Sequence, residues 1–215
     1  MSLKEKRISR SWFGIISSFL FILAGLMIIG YNHYQDFLQR QEDKSLIKEF
    51  FEDSDNATIE TTEVEVSEEN EEVKQESISY DYIAVLEIDS INLKRGLVNP
   101  SSKYNKVNYN IEIINSSTMP DVENGNLILA SHNGNSNISF FRNLNKMNEN
   151  DLINIYYNGI KYTYKYSYMY EAQKTGKVNI VRDKNQSTLT LITCKKNSKT
   201  KQLVFVSYLV DKVNY

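Results

Sequence analysis

A succession of short strand-like runs is the feature that most restricts the fold of this chain. Seven runs rich in Val, Ile, Thr and Tyr follow one another after residue 80: 82–88, 91–98, 126–131, 152–157, 162–170, 188–193 and 203–210. Turn signals separate them, and Asn158-Gly159 is a strong hairpin signal. The runs are too closely spaced for the helical crossovers of a parallel sheet. We therefore predict a mainly β domain, a barrel or sandwich of seven or eight strands.

One or two short helices complete the predicted domain. Residues 139–147 (SFFRNLNKM) are predicted to form an amphipathic turn or two, with Phe140, Phe141 and Leu144 facing inward. Asn110 and Asp121 are expected near loops at the surface of the barrel. The abundance of tyrosine, 15 residues against 9 Phe and 1 Trp, agrees with a β-rich fold.

An uncharged run near the N-terminus predicts a membrane anchor. Residues 12–31 hold no charge, and about 20 helical residues cross a hydrocarbon core of roughly 30 Å. Residues 1–11 carry four Lys or Arg against one Glu, so the positive-inside rule places them in the cytoplasm and the rest of the chain outside the cell. A cleaved secretory signal is the alternative, but the run exceeds the usual apolar length and no Ala-x-Ala site follows it.

The segment between the predicted anchor and the domain is expected to be a stalk and a linker. Residues 34–51 have an imperfect helical pattern that continues the anchor. Residues 52–76 hold eleven acidic residues, one Lys and no aromatic residue, so they predict a solvated tether. The predicted organisation is a cytoplasmic basic tail (1–11), a transmembrane signal-anchor (12–31), an extracellular stalk and acidic linker (32–78) and a folded domain (79–215).

Charge is divided unevenly along the chain. The predicted domain carries 17 basic and 11 acidic residues, whereas the whole chain has a net charge of −2. Nucleic acid is excluded as a partner, because the domain faces outward and has no Lys/Arg run dense enough to follow phosphates. An anionic surface or lipid head group fits this mild positive charge better.

Cysteine and histidine are scarce in this chain, which narrows the choice of chemistry. Cys194 is the only Cys, so an intramolecular disulfide and a multi-cysteine zinc site are excluded. His33 follows the predicted anchor, which leaves His132 as the only His of the domain. Cys194 and His132 each stand where a predicted strand meets a polar loop, the placement of a cysteine nucleophile with an imidazole partner. Taken singly, a lone Cys is more often a buried, unreactive thiol, and a lone His is more often an ordinary surface residue.

No metal or cofactor is expected. Zinc would need carboxylate ligands that the sequence does not identify. Calcium held between loops by Asp121 and Glu123 stays open, although their spacing is not that of a dedicated calcium loop.

The run 189–194 (LTLITC), which ends at Cys194, resembles the Leu-x-Thr-Cys signature of sortases, the membrane-anchored cysteine transpeptidases of Gram-positive bacteria. Residues 131–133 (SHN) and the strand before them resemble the stretch that leads to the catalytic His. Further likeness is found at Met119-Pro120 and at Phe140-Phe141-x-Asn143-Leu144. The resemblance covers roughly residues 80–210.

The resemblance implies a fold, an activity and a location. The expected fold is a closed eight-stranded β-barrel, with His132 just after the fourth strand and Cys194 at the end of the seventh. Cys194 is expected to be the nucleophile and His132 the general acid/base. The implied reaction cleaves a Leu-Pro-x-Thr-Gly-like sorting signal of surface proteins through a thioester, then transfers the protein to an amine of a cell-wall precursor or a pilin Lys. The implied location is the cell membrane, crossed once, with the catalytic domain outside.

One position departs from the family pattern. Sortases have an Arg at the start of the eighth strand, and the ungapped alignment places Gln202 there. Lys201 is offset by one residue and is expected to face away. We therefore expect weaker stabilisation of the transition state at Gln202, or another donor such as a backbone N–H or Arg182.

The missing Arg keeps two alternative functions open. One is a peptide-binding module with a sortase fold and no turnover, and the other is a thiol hydrolase that uses water as acceptor. The position is expected to lie at a solvent-accessible strand edge, so Gln202→Arg is expected to raise the rate.

Overall fold

The computed structural model of this chain describes residues 10–56 and 80–215. The predicted basic tail up to residue 9, the part of the predicted linker from 57 to 78 and the first residue of the predicted domain, 79, lie outside the described residues. Helix α1 spans Arg10–Asn56. The chain divides into two compact units, Met1–Glu42 and Asp43–Tyr215.

The first unit contains the predicted anchor, whose side chains are described from residue 16 onward. Its large apolar side chains are exposed, among them Phe19, Phe21 and Met27. Within the described residues, no helix combines the length and the apolarity that crossing a membrane requires.

The second unit is built on one sheet of eight strands. The strands are β1 (Tyr82–Ile88), β2 (Leu93–Val98), β3 (Glu112–Ile113), β4 (Asn126–Ala130), β5 (Leu152–Tyr157), β6 (Ile160–Gln173), β7 (Thr188–Cys194) and β8 (Lys201–Asn214). Their order in the sheet is β2-β1-β5-β6-β8-β7-β4-β3. The sheet curls so that its edge strands β2 and β3 approach each other without a ladder between them. The mainly β prediction is thus confirmed, as a nearly closed rather than a fully closed barrel.

Most predicted strands are confirmed, with differences at their ends. β1 and β5 have the predicted bounds, and the Asn158-Gly159 hairpin is confirmed, since both residues have positive φ (50° and 71°) between Tyr157 and its partner Ile160. β6 and β8 extend several residues beyond the predicted runs, because their long antiparallel pairing continues past the apolar core. The two-residue strand β3 was not predicted, since it is too short to show a periodic pattern.

The short helical segment predicted at 139–147 is confirmed in part. Only Leu144–Lys146 is helical, as a 3₁₀ turn, and the rest is irregular. Asn and Ser side chains bond to nearby backbone in preference to a helix, which explains the turns. The inward positions are confirmed for Phe141 and Leu144, which are fully buried, and Phe140 packs against the same core.

The end of α1 belongs to the second unit and packs on the barrel. Ile47 is buried in a cluster with Tyr82, Val85 and Val98. Phe51 meets the Tyr156 ring edge-on at 4.9 Å between ring centroids. Residues 43–56, which the sequence pattern assigned to the stalk and linker, are therefore part of the same compact unit as the barrel.

A buried charge pair joins α1 to β2. Arg95 is only 1% exposed and forms an ion pair with Asp43. Its Nε donates to Asn110 Oδ1 at 2.7 Å, and Asn110 Nδ2 donates to the Gly96 carbonyl at 2.9 Å. Asn110 is fully buried, and its side chain bonds both the Arg95 guanidinium and the Gly96 carbonyl. The prediction that Asn110 lies near the surface is therefore wrong.

Candidate active site

The two predicted reactive residues leave neighbouring parallel strands at the same end. β4 and β7 are the one parallel pair among the described strands, with Ala130 opposite Ile192. His132 follows β4 by two residues, and Cys194 is the last residue of β7. The strand positions expected for both residues are thus confirmed.

Three hydrogen bonds fasten the His132 segment to the Cys194 segment. Ser131 N donates to the Ile192 carbonyl at 3.2 Å, which extends the ladder by one step. The buried Thr193 hydroxyl donates to the Ser131 carbonyl at 2.7 Å, and Asn133 Nδ2 donates to the Cys194 carbonyl at 2.9 Å. The residues that flank Cys194 and His132 therefore hold the two segments in fixed register at this end of the sheet.

The His132 ring is half-buried and has an amide partner. Its Nε2 lies 3.2 Å from Asn108 Oδ1, and because that oxygen accepts, the hydrogen of this arrangement is on Nε2. In the described part of the chain, the ring bonds Asn108 and not the thiol. Asn108 was missed from the sequence, since it lies in the irregular connection between β2 and β3, where no periodicity or motif marks it.

Gln202 lies directly opposite Cys194 on the neighbouring strand. The two residues are Cα partners in the β7–β8 ladder, so their side chains emerge on the same face of the sheet. Gln202 is nevertheless only 9% exposed, and its Nε2 donates to the Gln173 carbonyl on β6 at 3.4 Å. β8 lies between β6 and β7. The expectation of a solvent-accessible strand edge at this position is therefore wrong.

A lysine that the sequence did not single out approaches the thiol. Lys174 Nζ lies 3.6 Å from Cys194 Sγ. The exposed Lys174 side chain, just after β6, thus contacts the half-buried Cys194 at the end of β7. No motif marks Lys174, since it is brought to the site by strand register.

Two nearby lysines form ion pairs with the carboxylate of Glu171. Glu171 pairs with Lys195 and with Lys201, the latter at 2.9 Å between Nζ and Oε2. Hydrogen bonds from Lys195 and Lys201 lower the pKa of Glu171 to about 2, so the carboxylate keeps its charge at any ordinary pH. Lys201 faces Glu171 and not Cys194, as predicted.

Arg182, the predicted substitute for the family Arg, lies at the wrong end of β7. Its guanidinium donates to the carbonyls of Asn124 and Gln186 and to the Thr188 hydroxyl, each at 3.2 Å. Thr188 begins β7 and Cys194 ends it, and six steps along a strand span about 20 Å. The prediction that Arg182 could act on the Cys194 site is therefore wrong.

Residues 10–56 and 80–215 contain no group of three His, Cys, Asp or Glu residues placed to hold a metal ion. Asp121 and Glu123, the residues considered for calcium, are exposed. The expectation that no cofactor is needed stays a prediction.

A nearly closed β-barrel with a Cys and a His at the ends of adjacent parallel strands is the arrangement implied by the motifs in the sequence. The sequence model of the sortase domain matches residues 86–210, more than half of the chain. The chain therefore belongs to the sortase family, whose members are cysteine transpeptidases.

Solved structures agree on the fold. The chain is similar to a sortase D5 transpeptidase from Clostridium perfringens, with 24% identity over 63% of this chain and 84% of that one and a TM-score of 0.52. Sortase A from Corynebacterium diphtheriae shares 21% identity over 62% of each chain, with a TM-score of 0.55. Sortase A from Listeria monocytogenes shares 20% identity over 62% of this chain and 90% of that one, with a TM-score of 0.53. Comparison with curated proteins gave no significant match.

Proposed function

We propose that this chain is a cysteine transpeptidase that cleaves a Leu-Pro-x-Thr-Gly-like sorting signal after Thr and transfers the protein to an amine. The observation that carries the proposal is the fastening of the Cys194 and His132 segments by the Thr193 and Asn133 hydrogen bonds. A bond network of this kind holds a nucleophile and its acid/base partner in fixed relation.

The first half of the reaction forms a thioester. The Cys194 thiolate attacks the Thr carbonyl carbon, a bond forms between sulphur and carbon, and the carbonyl electron pair moves to oxygen. When the oxyanion collapses, the bond from carbon to nitrogen breaks, and His132, which carries the proton that left the Cys194 thiol, gives this proton to the departing amine. The Asn108 oxygen accepts a hydrogen bond from Nε2–H, which orients the ring and leaves Nδ1 for this transfer.

The second half passes the acyl group to an acceptor amine. The amine attacks the thioester carbon while His132 removes its proton, and the sulphur leaves as a thiolate. A water molecule in place of the amine would give hydrolysis, so the outcome depends on which nucleophile occupies the groove.

Gln202 takes the position of the family Arg in this proposal. Its amide can donate to the substrate carbonyl through the N–H that does not serve the Gln173 carbonyl. A neutral donor forms a weaker bond than a charged one, by roughly a factor of two. The amide alone therefore stabilises the oxyanion less than the Arg would.

The proposal also covers partners and location. The substrates are surface proteins with C-terminal sorting signals, the acceptor is an amine of a cell-wall precursor or a pilin Lys, and neither a cofactor nor nucleic acid takes part. The enzyme would sit in the cell membrane through residues 12–31, with its catalytic domain outside. The uncharged run and the basic residues before it support this placement.

The proposed activity predicts a covalent adduct. Incubation of the full chain with a library of sorting-signal peptides is expected to give an acyl group on Cys194, detected by mass spectrometry of the intact protein. Oligoglycine or a diamine added afterwards should appear in the product of a transpeptidase, whereas a hydrolase would release the free acid. Peptide binding without any adduct would instead favour the binding module.

The proposed orientation predicts where protease can cut. Protease added outside intact cells is expected to cleave within residues 52–76, an acidic run without aromatic residues, and to separate a fragment that contains the barrel from the rest of the chain. Because residues 43–56 pack on the barrel, cells and supernatant are both blotted after denaturing electrophoresis, with an antibody against the barrel. If the segment is cut only after the cells are lysed, the proposed orientation is wrong.

A further inference from the structure

Lys174 is the first residue after β6, and its ammonium group approaches the proposed nucleophile. Nζ lies 3.6 Å from Cys194 Sγ, within the range of a hydrogen bond to sulphur. The transpeptidase mechanism proposed above gives the Lys174 ammonium no part. An ammonium at this distance interacts with whatever negative charge develops on or beside the sulphur.

Neighbouring strands hold the Lys174 segment in place. Lys174 N donates to the Thr200 carbonyl at 2.7 Å, just before β8 begins. The preceding carbonyl, of Gln173, accepts from Gln202 Nε2. Gln202 occupies the strand position where the family has Arg. Its hydrogen bond therefore holds the segment that carries Lys174.

Three cations that could replace the family Arg are bonded elsewhere. Lys195 and Lys201 face Glu171, and Arg182 lies at the opposite end of β7. Across the described ranges, Lys174 alone has a hydrogen bond to the Cys194 sulphur. The positive charge at this site thus comes from the end of β6 and not from the start of β8.

We propose that Lys174 is a catalytic residue that supplies the positive charge beside Cys194, the charge that Gln202 lacks. The proposal rests on the proposed transpeptidase function. While the bond between sulphur and carbon forms, the carbonyl electron pair moves to oxygen, and the Lys174 ammonium faces both the sulphur and this oxyanion. Lys174 keeps all its protons, since His132 performs the proton transfers. Gln202 acts as a positioning residue through the Gln173 carbonyl.

A reagent test reports the charge beside the thiol without any peptide. Cys194 is the only Cys of the chain, so alkylation of the full protein reports this sulphur alone. The rate of alkylation is measured with anionic iodoacetate and with neutral iodoacetamide. Thiol ionisation and access affect both rates alike, so the ratio of the two rates depends on the local charge. Lys174→Gln is expected to lower this ratio about fivefold, the effect of a unit charge about 4 Å away in water-like surroundings. Lys177→Gln removes the same charge from an exposed position of the same loop and should leave the ratio unchanged.

A second measurement tests the role in acyl transfer. Lys174→Gln is expected to slow acylation by a sorting-signal peptide about 10- to 100-fold, less than the loss of a buried oxyanion donor, because Lys174 is exposed. Lys174→Arg, which keeps the charge with a different shape, should retain part of the rate, and Lys177→Gln nearly all of it.

The two measurements separate the possible failures. An alkylation ratio that does not change in Lys174→Gln overturns the proposal, whatever the peptide does. A lower ratio with unchanged acylation overturns the catalytic role. If wild-type protein forms no adduct with any peptide, the transpeptidase function is contradicted, and the ratio alone decides whether Lys174 provides the charge at the thiol.

Discussion

Replacement of Cys194 by Ala is expected to abolish peptide cleavage and transfer while leaving the barrel folded. The thiol is half-buried at the end of β7, and its backbone carbonyl, not its sulphur, accepts from Asn133. The bonds that fasten the site therefore survive the substitution, whereas the thioester cannot form. Product analysis by chromatography measures the loss, and urea denaturation of the same protein should give an unfolding midpoint close to that of wild type.

The companion variant His132→Ala separates acid/base chemistry from nucleophilic attack. With Cys194 intact, cleavage is expected to fall about 10²- to 10⁴-fold, the usual contribution of a positioned acid/base group. Asn133 and Ser131 keep the segment fastened in this variant. Cleavage that persists in Cys194→Ala would contradict a cysteine transpeptidase, and an unchanged rate in His132→Ala would remove His132 from the mechanism.

Local pattern predicted most of the barrel but not what packs on it. Strands with strong apolar patterns, such as β1 and β5, were found from the sequence with their bounds. The docking of residues 43–56 was not, because Ile47 and Phe51 lie in an imperfect helical pattern whose partners are distant in sequence. Strand β3 is likewise defined by its pairing with β4 and not by its own two residues.

Some residues of the candidate site could be predicted from the sequence and others could not. Cys194 and His132 were predicted because motifs and strand ends mark them in the sequence. Lys174 and Asn108 were not, because register and loop path bring them to the thiol and the imidazole. The burial of Gln202 could not be predicted either, since it follows from the position of β8 between β6 and β7, a long-range property of the sheet.

Replacement of Asp43 by Asn is expected to destabilise the barrel unit by about 3 kcal/mol. Arg95 is almost completely buried, and burial lowers its pKa only to about 10, so the guanidinium remains charged at neutral pH. Its other neighbours include the neutral Asn110 oxygen, the Phe140 ring at 4.5 Å and the Tyr80 ring at 5.6 Å. Removal of one partner of a buried ion pair costs about 3–5 kcal/mol, and the lower end applies because the Asp43 side chain is 18% exposed.

Urea denaturation of the full chain measures the free energy of unfolding, and α1 itself offers a matched control. Lys48 and Glu52 form an ion pair at 3.3 Å with both side chains largely exposed. Glu52→Gln is therefore expected to change the free energy of unfolding by less than about 1 kcal/mol. If Asp43→Asn changes it as little as Glu52→Gln does, the buried pair does not hold α1 to the barrel.

A double variant distinguishes the cost of an unpaired charge from the loss of packing. Arg95→Met combined with Asp43→Leu removes both charges and fills the space with apolar side chains, an exchange that is often neutral or stabilising for buried ion pairs. We expect it to recover most of the stability lost in Asp43→Asn. The Asn110 oxygen loses its donor in this variant, which limits the recovery. If the double variant is no more stable than Asp43→Asn, the pair contributes through its shape and hydrogen bonds, and the unpaired charge of Arg95 is not the cause of the loss.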